Sequence, residues 1–152
     1  MSSSDVPHAT KVVVRGSGSG FAQEISARTH HLVADEPVSD GGTDTGPTPY
    51  ELLLAALGSC ASMTVALYAR RKNWSLEAVT VRLSHSRIHA IDCAECETKA
   101  ARLDRVEWSL YFQGDLTAPQ RARLLEIAQM CPVHRTLGSA VDIPAPTDGS
   151  ST

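Results

Sequence analysis

No block of like charge interrupts this sequence. Fourteen Lys and Arg face seventeen Asp and Glu, scattered along the chain, and scattered charge gives no footprint of the kind a phosphate backbone needs. Nucleic acid is therefore not an expected partner. The start, Met1 to His8, lacks the basic segment and apolar run of a secretory signal, so a cytoplasmic location is expected. The longest apolar stretch, Leu52 to Tyr68, is broken by Gly58, Ser59, Ser62 and Thr64 and falls short of the roughly twenty residues that span a bilayer. It reads as a buried core helix, with no membrane partner. Only four cysteines are present. Without an export signal they read as reduced thiols, a metal site or a redox pair, not as a disulfide framework.

What remains is a chain of 152 residues that can bury one core. Met1 to Ala9 and Pro144 to Thr152 are dominated by Ser, Thr, Pro, Asp and Gly, a composition that cannot repay the entropy of ordering. They are expected to be disordered tails around one domain at 10–143. Lys11 to Arg15 and Phe21 to Ala27 read as strands joined by the connection Gly16-Ser17-Gly18-Ser19-Gly20, with His30 to Ala34 as a third. Thr48-Pro49-Tyr50-Glu51 then supplies an N-cap, a proline at the first helical position and a glutamate placed to close a capping box. The helix it opens runs to about Lys72 and is apolar on all sides, which predicts burial by its surroundings. Leu76 to His89 and Leu103 to Phe112 alternate as half-buried strands. Thr117-Ala118-Pro119-Gln120 caps a second helix that ends close to Cys131, and Val141 to Ile143 reads as a short last strand. Strands, helix, strands, helix and no internal repeat give an α+β fold.

Cys60 lies near the middle of the first helix, where a cysteine serves either as a small buried hydrophobe or as a nucleophile. Cys131 directly precedes Pro132 in Cys131-Pro132-Val133-His134-Arg135. If Pro132 opens a turn of helix, Cys131 caps it, and the free amides there favour a thiolate; an inert capping thiol is the other reading. Cys93-Ala94-Glu95-Cys96 falls between two strands, unlike a redox CxxC at a helix start. Joined by His85 and His89 it could hold zinc, although four residues of strand span about 13 Å, so both histidines reach one metal only if the strand bends. Glu51 is explained by the capping box, although a carboxylate there can serve catalysis as well, and Arg15 stands on the first strand.

The segment from Gly46 through Pro47, Thr48, Pro49, Tyr50, Glu51 and Leu52-Leu53-Leu54-Ala55-Ala56-Leu57-Gly58-Ser59 to Cys60, with Cys131-Pro132-Val133-His134-Arg135-Thr136-Leu137 later, resembles the OsmC/Ohr (organic hydroperoxide resistance) family, in a less characterised OsmC-like branch. The resemblance implies an intertwined homodimer whose long central helices are wrapped by sheets from both subunits. It implies a thiol-dependent peroxidase acting on organic hydroperoxides, with no cofactor. Cys60 would become a sulfenic acid and condense with Cys131 to a disulfide, and a dithiol such as dihydrolipoamide would be the reductant. In the family an arginine in the turn after the first strand and a glutamate at the helix start support the nucleophile. This turn has no arginine and Tyr50 aligns with that glutamate, so Arg15 and Glu51 are the candidates here. Two alternatives are a weakly catalytic or non-catalytic small-molecule binding protein and a zinc protein using the Cys93/Cys96 loop.

Overall fold

The computed structural model describes residues 9–89 and 102–150. The chain divides into two compact units, Met1–Leu53 and Leu54–Thr152, and each is taken in turn.

In the first unit, β1 (Val13–Gly16), β2 (Gln23–Ala27) and β3 (His30–Ala34) form an antiparallel sheet in sequence order. Val14 pairs with Ile25, and Ile25 with Leu32. Arg28, between β2 and β3, takes a left-handed φ of 57° in the tight turn that joins them. The loop that follows contains a 3₁₀ turn at Val38–Asp40 and is organised around one carboxylate. Asp35 is buried and accepts from the amides of Glu36 at 2.8 Å, Thr43 at 3.2 Å and Thr45 at 3.1 Å. The hydroxyls of Thr43 and Thr45 donate to it at 2.5 and 2.7 Å. These donors hold its carboxyl far below the usual carboxylate range against the opposing effect of burial. The Asp35 amide itself donates to the Pro47 carbonyl at 3.1 Å, so the loop closes immediately before the next helix.

That helix, α1 (Pro49–Arg71), starts as its sequence dictates. The Glu51 amide donates to Thr48 Oγ1 at 3.2 Å and the Thr48 amide to the Glu51 carboxylate at 2.8 Å, a closed capping box. Most of α1 belongs to the second unit. There Leu57, Gly58, Ala61, Val65 and Ala69 form its buried stripe, spaced by threes and fours as one helix face requires. The expectation of a helix buried on all sides is not met within one chain, because Met63 (71 % exposed) and Leu67 lie on the opposite face. The expectation that the run is too short for a bilayer is also corrected. By length and composition the 23 residues would cross one, yet the buried stripe makes α1 a core helix of its unit.

β4 (Ala78–His89) and β5 (Arg102–Gln113) form a two-stranded antiparallel sheet in which Leu83 faces Trp108 and Val81 faces Leu110. Val79, Leu83, Val106, Trp108, Leu110 and Phe112 pack on the core that α1 shares with Leu116, Leu124, Ile127 and Ala128. Burying a side chain such as Leu124, which is fully enclosed, contributes about 1.5–3 kcal/mol. Gly114 closes the turn after β5, where the Arg121 guanidinium donates to the carbonyls of Phe112 at 2.8 Å and Gly114 at 3.2 Å. α2 (Ala118–Ala128) opens on the expected capping box of Thr117 and Gln120, and α3 (Pro132–Leu137) follows. Val141 to Ile143 is not a strand. Val141 and Ile143 are exposed, and among the described residues no strand pairs with this stretch; three alternating residues are too few to hold a strand by themselves.

Two stability predictions follow from this architecture. At Gly114 φ is 127°, and a Cβ would stand 1.9 Å from the Ser75 carbonyl oxygen, so Gly114→Ala is expected to cost about 2–3 kcal/mol or more in denaturant titration. The folded-state pKa of Asp35 is depressed, so its contribution is complete above the unfolded carboxylate value of about 3.9 and is lost as pH falls through the carboxylate range. Thermal melts of wild type and Asp35→Asn should differ by several degrees at neutral pH and converge in acid; a gap independent of pH would refute the assignment.

Candidate active site

The second unit brings two sulfurs together. Cys60 is half-buried on α1 and packs against the core, while Cys131 is fully buried within it. Both are free thiols; Cys60 packs against the core cluster that contains Cys131, close enough for its sulfur to push the Cys131 thiol up. Each is fixed by its own element. The Cys60 carbonyl accepts from Thr64 Oγ1 at 2.8 Å within α1. Cys131 is the N-cap of α3, extended at φ −63° and ψ 144°, and Pro132 occupies the first turn. Its Sγ accepts from the His134 amide at 3.3 Å, and its carbonyl from the Arg135 amide at 3.1 Å.

The cap geometry is the one the Cys-Pro dipeptide predicts, but its electrostatic consequence differs. Burial pushes the Cys131 thiol up, and the neighbouring Cys60 sulfur pushes it further. The amides of His134 and Val133 pull it down without prevailing. Cys131 rests as a neutral thiol. A short helix of six residues offers too little dipole to offset the loss of water around a fully enclosed sulfur.

Beside the thiols lies a cavity of about 220 Å³ lined by Leu57, Asp104, Val106, Trp108, His134 and Leu137 among others. Leu57 is one helical turn before Cys60, and His134 is the residue whose amide reaches Cys131. The imidazole of His134 stacks on the Trp108 indole, with centroids 5.3 Å apart and planes 16° from parallel. At the polar edge Asp104 accepts from His85 Nε2 at 2.8 Å and from Arg87 Nε at 3.2 Å. Those two donors hold its carboxyl below the ordinary value.

The other sequence candidates lie elsewhere. Arg15 and Glu51 belong to the first unit. Arg15 sits opposite Glu24 in the β1–β2 register and lines an open groove with Ser17 and Gln23; the Glu51 carboxylate is bound to the Thr48 amide. Cys93 and Cys96 lie outside the described residues. His89 stands at the end of β4 opposite Arg102, and His85 is engaged with Asp104. Among the described residues no group of three His, Cys, Asp or Glu side chains is arranged to hold a metal ion. Sequence reasoning missed the Trp108–His134 stack and the Asp104 cluster. The alternation of β5 put Trp108 on the inner face, but nothing local to the sequence says which residue of α3 it meets.

Comparison with known proteins gives the family and the fold. Residues 42–144 match the family of OsmC-like proteins. Among curated proteins no relative matches the sequence. Solved structures share the fold at low identity. An OsmC-like protein from Mycoplasma pneumoniae is 16 % identical, with a TM-score of 0.69 over 87 % of this chain and 89 % of that one. The OsmC organic hydroperoxide resistance protein of Legionella pneumophila is 20 % identical, with a TM-score of 0.61 over 86 % and 90 %. OhrB of Bacillus subtilis, an organic hydroperoxide resistance protein, is also 20 % identical, with a TM-score of 0.59 over 88 % and 93 %. With the family match running over 42–144, more than half of the chain and most of the second unit, the chain belongs to the OsmC-like family.

Proposed function

We propose that the protein is a thiol-dependent peroxidase that reduces organic hydroperoxides through the Cys60 and Cys131 pair. The observation that carries this reading is the placement of two free thiols at one core cluster, one half-exposed on a long helix and one enclosed at a helix cap. Solved relatives that are called organic hydroperoxide resistance proteins support the substrate class.

The environments divide the labour. Cys60, the more accessible sulfur, attacks as the thiolate on the outer peroxide oxygen. The O–O bond breaks, the organic alkoxide takes up a proton and leaves as the alcohol, and Cys60 becomes a sulfenic acid. Cys131, kept neutral by burial, then gives up its proton and attacks the Cys60 sulfur. The S–O bond breaks, hydroxide takes that proton to form water, and a disulfide closes. A dithiol such as dihydrolipoamide returns both thiols and is itself oxidised to its cyclic disulfide. Arg15 and Glu51 stay outside this assignment, which uses only groups of the second unit. The exposed apolar face of α1, with Met63 and Leu67, supports a homodimer as the working form.

Two measurements test the scheme. With a small excess of cumene hydroperoxide, peptide mapping should find a Cys60–Cys131 disulfide; both thiols still free after the peroxide is consumed would reject the two-cysteine mechanism. In the reduced protein at neutral pH, iodoacetamide should label Cys60 well before Cys131, because alkylation needs an accessible thiolate. The reverse order would exchange the two roles.

A further inference from the structure

The resolving step asks something unusual of α3. Cys131 must present its sulfur as a thiolate to the Cys60 sulfenic acid from a position that no water reaches, so whatever lowers the cost of that charge has to come from the protein. The groups that do so are backbone amides of the first turn of α3, His134 at 3.3 Å and Val133. Their aim depends on where α3 sits, and α3 has only six residues. A helix so short is not stable by itself. Its internal supports are the Cys131 cap, Pro132 and the closing bond from the Gly138 amide to the His134 carbonyl at 2.9 Å. These shape the turn but do not fix it in the protein.

Two side chains do that. Val133 packs against the core, and the imidazole of His134 lies flat on Trp108. Trp108 is itself part of the inner face of β5, paired with Leu83 across the sheet and packed on the core. The ring pair borders the 220 Å³ cavity with Leu57, Val106 and Leu137. Open space on that side means that no tightly packed neighbour would hold His134 if the indole were removed.

We propose that Trp108 is a positioning residue for the resolving step, holding the first turn of α3 through the His134 ring so that its amides stay aimed at the Cys131 sulfur. The proposal rests on the peroxidase reading above and concerns only its second half. Cys131 attacks sulfur, the S–O bond of the sulfenic acid breaks, water leaves and the disulfide forms, with no oxidant beyond the hydroperoxide already spent. Attack of Cys60 on the peroxide precedes this and makes no use of the α3 amides. Trp108 should therefore matter for one phase and not for the other.

The experiment compares full-length wild type, Trp108→Leu and Trp108→Phe with one equivalent of cumene hydroperoxide. Alcohol release reports the first phase, quenched peptide mapping reports disulfide formation, and dimedone traps sulfenic acid. In Trp108→Leu, alcohol release should keep the wild-type rate and disulfide formation should slow on the order of tenfold, the equivalent of one lost hydrogen bond to the sulfur. Dimedone should then label Cys60 heavily. Trp108→Phe keeps a ring under His134 and should restore most of the second-phase rate. The His134 amide resonance in ¹H–¹⁵N spectra should move in Trp108→Leu and return toward wild type in Trp108→Phe. Wild-type disulfide kinetics in Trp108→Leu would overturn the proposal. So would equal slowing of both phases, which is what a loosened fold produces. If wild type itself forms neither sulfenic acid nor disulfide, the peroxidase reading falls and this step falls with it, a result separate from both.

Discussion

The second unit depends on how closely α1 can approach the β4–β5 hairpin. Its buried stripe alternates small and medium residues, Leu57, Gly58, Ala61, Val65 and Ala69. At Gly58 a Cβ would come within 2.8 Å of Leu83 Cδ1 and meet Val81 at 3.8 Å. The helix therefore lies directly on the Leu83 and Val81 side chains of β4, with no room for a side chain of its own at this level. Two residues further along, Cys60 turns partly toward the same core, and the space that small residues leave is where α3 brings Cys131. A larger residue at 58 would push Leu83 aside and widen the interval in which the two sulfurs meet.

Proximity alone does not make a redox pair; the two sulfurs must also differ. Here the difference comes from burial, not from nearby cations. Cys131 loses its water and rests protonated, and the His134 and Val133 amides compensate only part of that loss. Cys60 keeps access to solvent. The arrangement suits a sequence of events in which one sulfur meets substrate and the other waits. Charge on Cys131 is costly at rest, and the proposed mechanism needs it only during the attack, so a few backbone donors at the cap are sufficient. On the proposed mechanism the same capping group has a structural duty in the reduced protein and a chemical one during turnover, and both draw on the geometry of one short helix.

The parts of the fold that were legible in the sequence are those set by local rules. Thr48 with Glu51 and Thr117 with Gln120 each close the capping box that their spacing announces, and β4 and β5 follow their period-two alternation. Cys131 takes the cap position because proline must follow a helix start, not interrupt one. What failed needed knowledge of neighbours. The apolar circumference of α1 predicts burial on all sides, but sequence hydropathy cannot tell which face a single chain covers. Val141 to Ile143 alternates like a strand and has no edge to join. The Asp35 hub was invisible because its donors, Thr43 and Thr45, are ordinary loop residues until the turn at Gly41 (φ 92°) folds them back.

The candidate site divides along the same line. Which residues could react was legible, because cysteine chemistry and the Cys-Pro cap are properties of residue type. Which residues govern the reaction was not. Trp108 and His134 are separated by more than a strand and a helix in sequence, and only the register of β5 against β4 points the indole inward at the level of Leu83. The stack they form then connects a sheet residue to the amide that faces Cys131. A long-range contact of this kind acts on the turn that caps Cys131 without touching its sulfur. It follows that substitutions on β5, chosen for their effect on packing, should alter the thiol chemistry according to whether they preserve the ring beneath His134, not according to how much apolar area they remove.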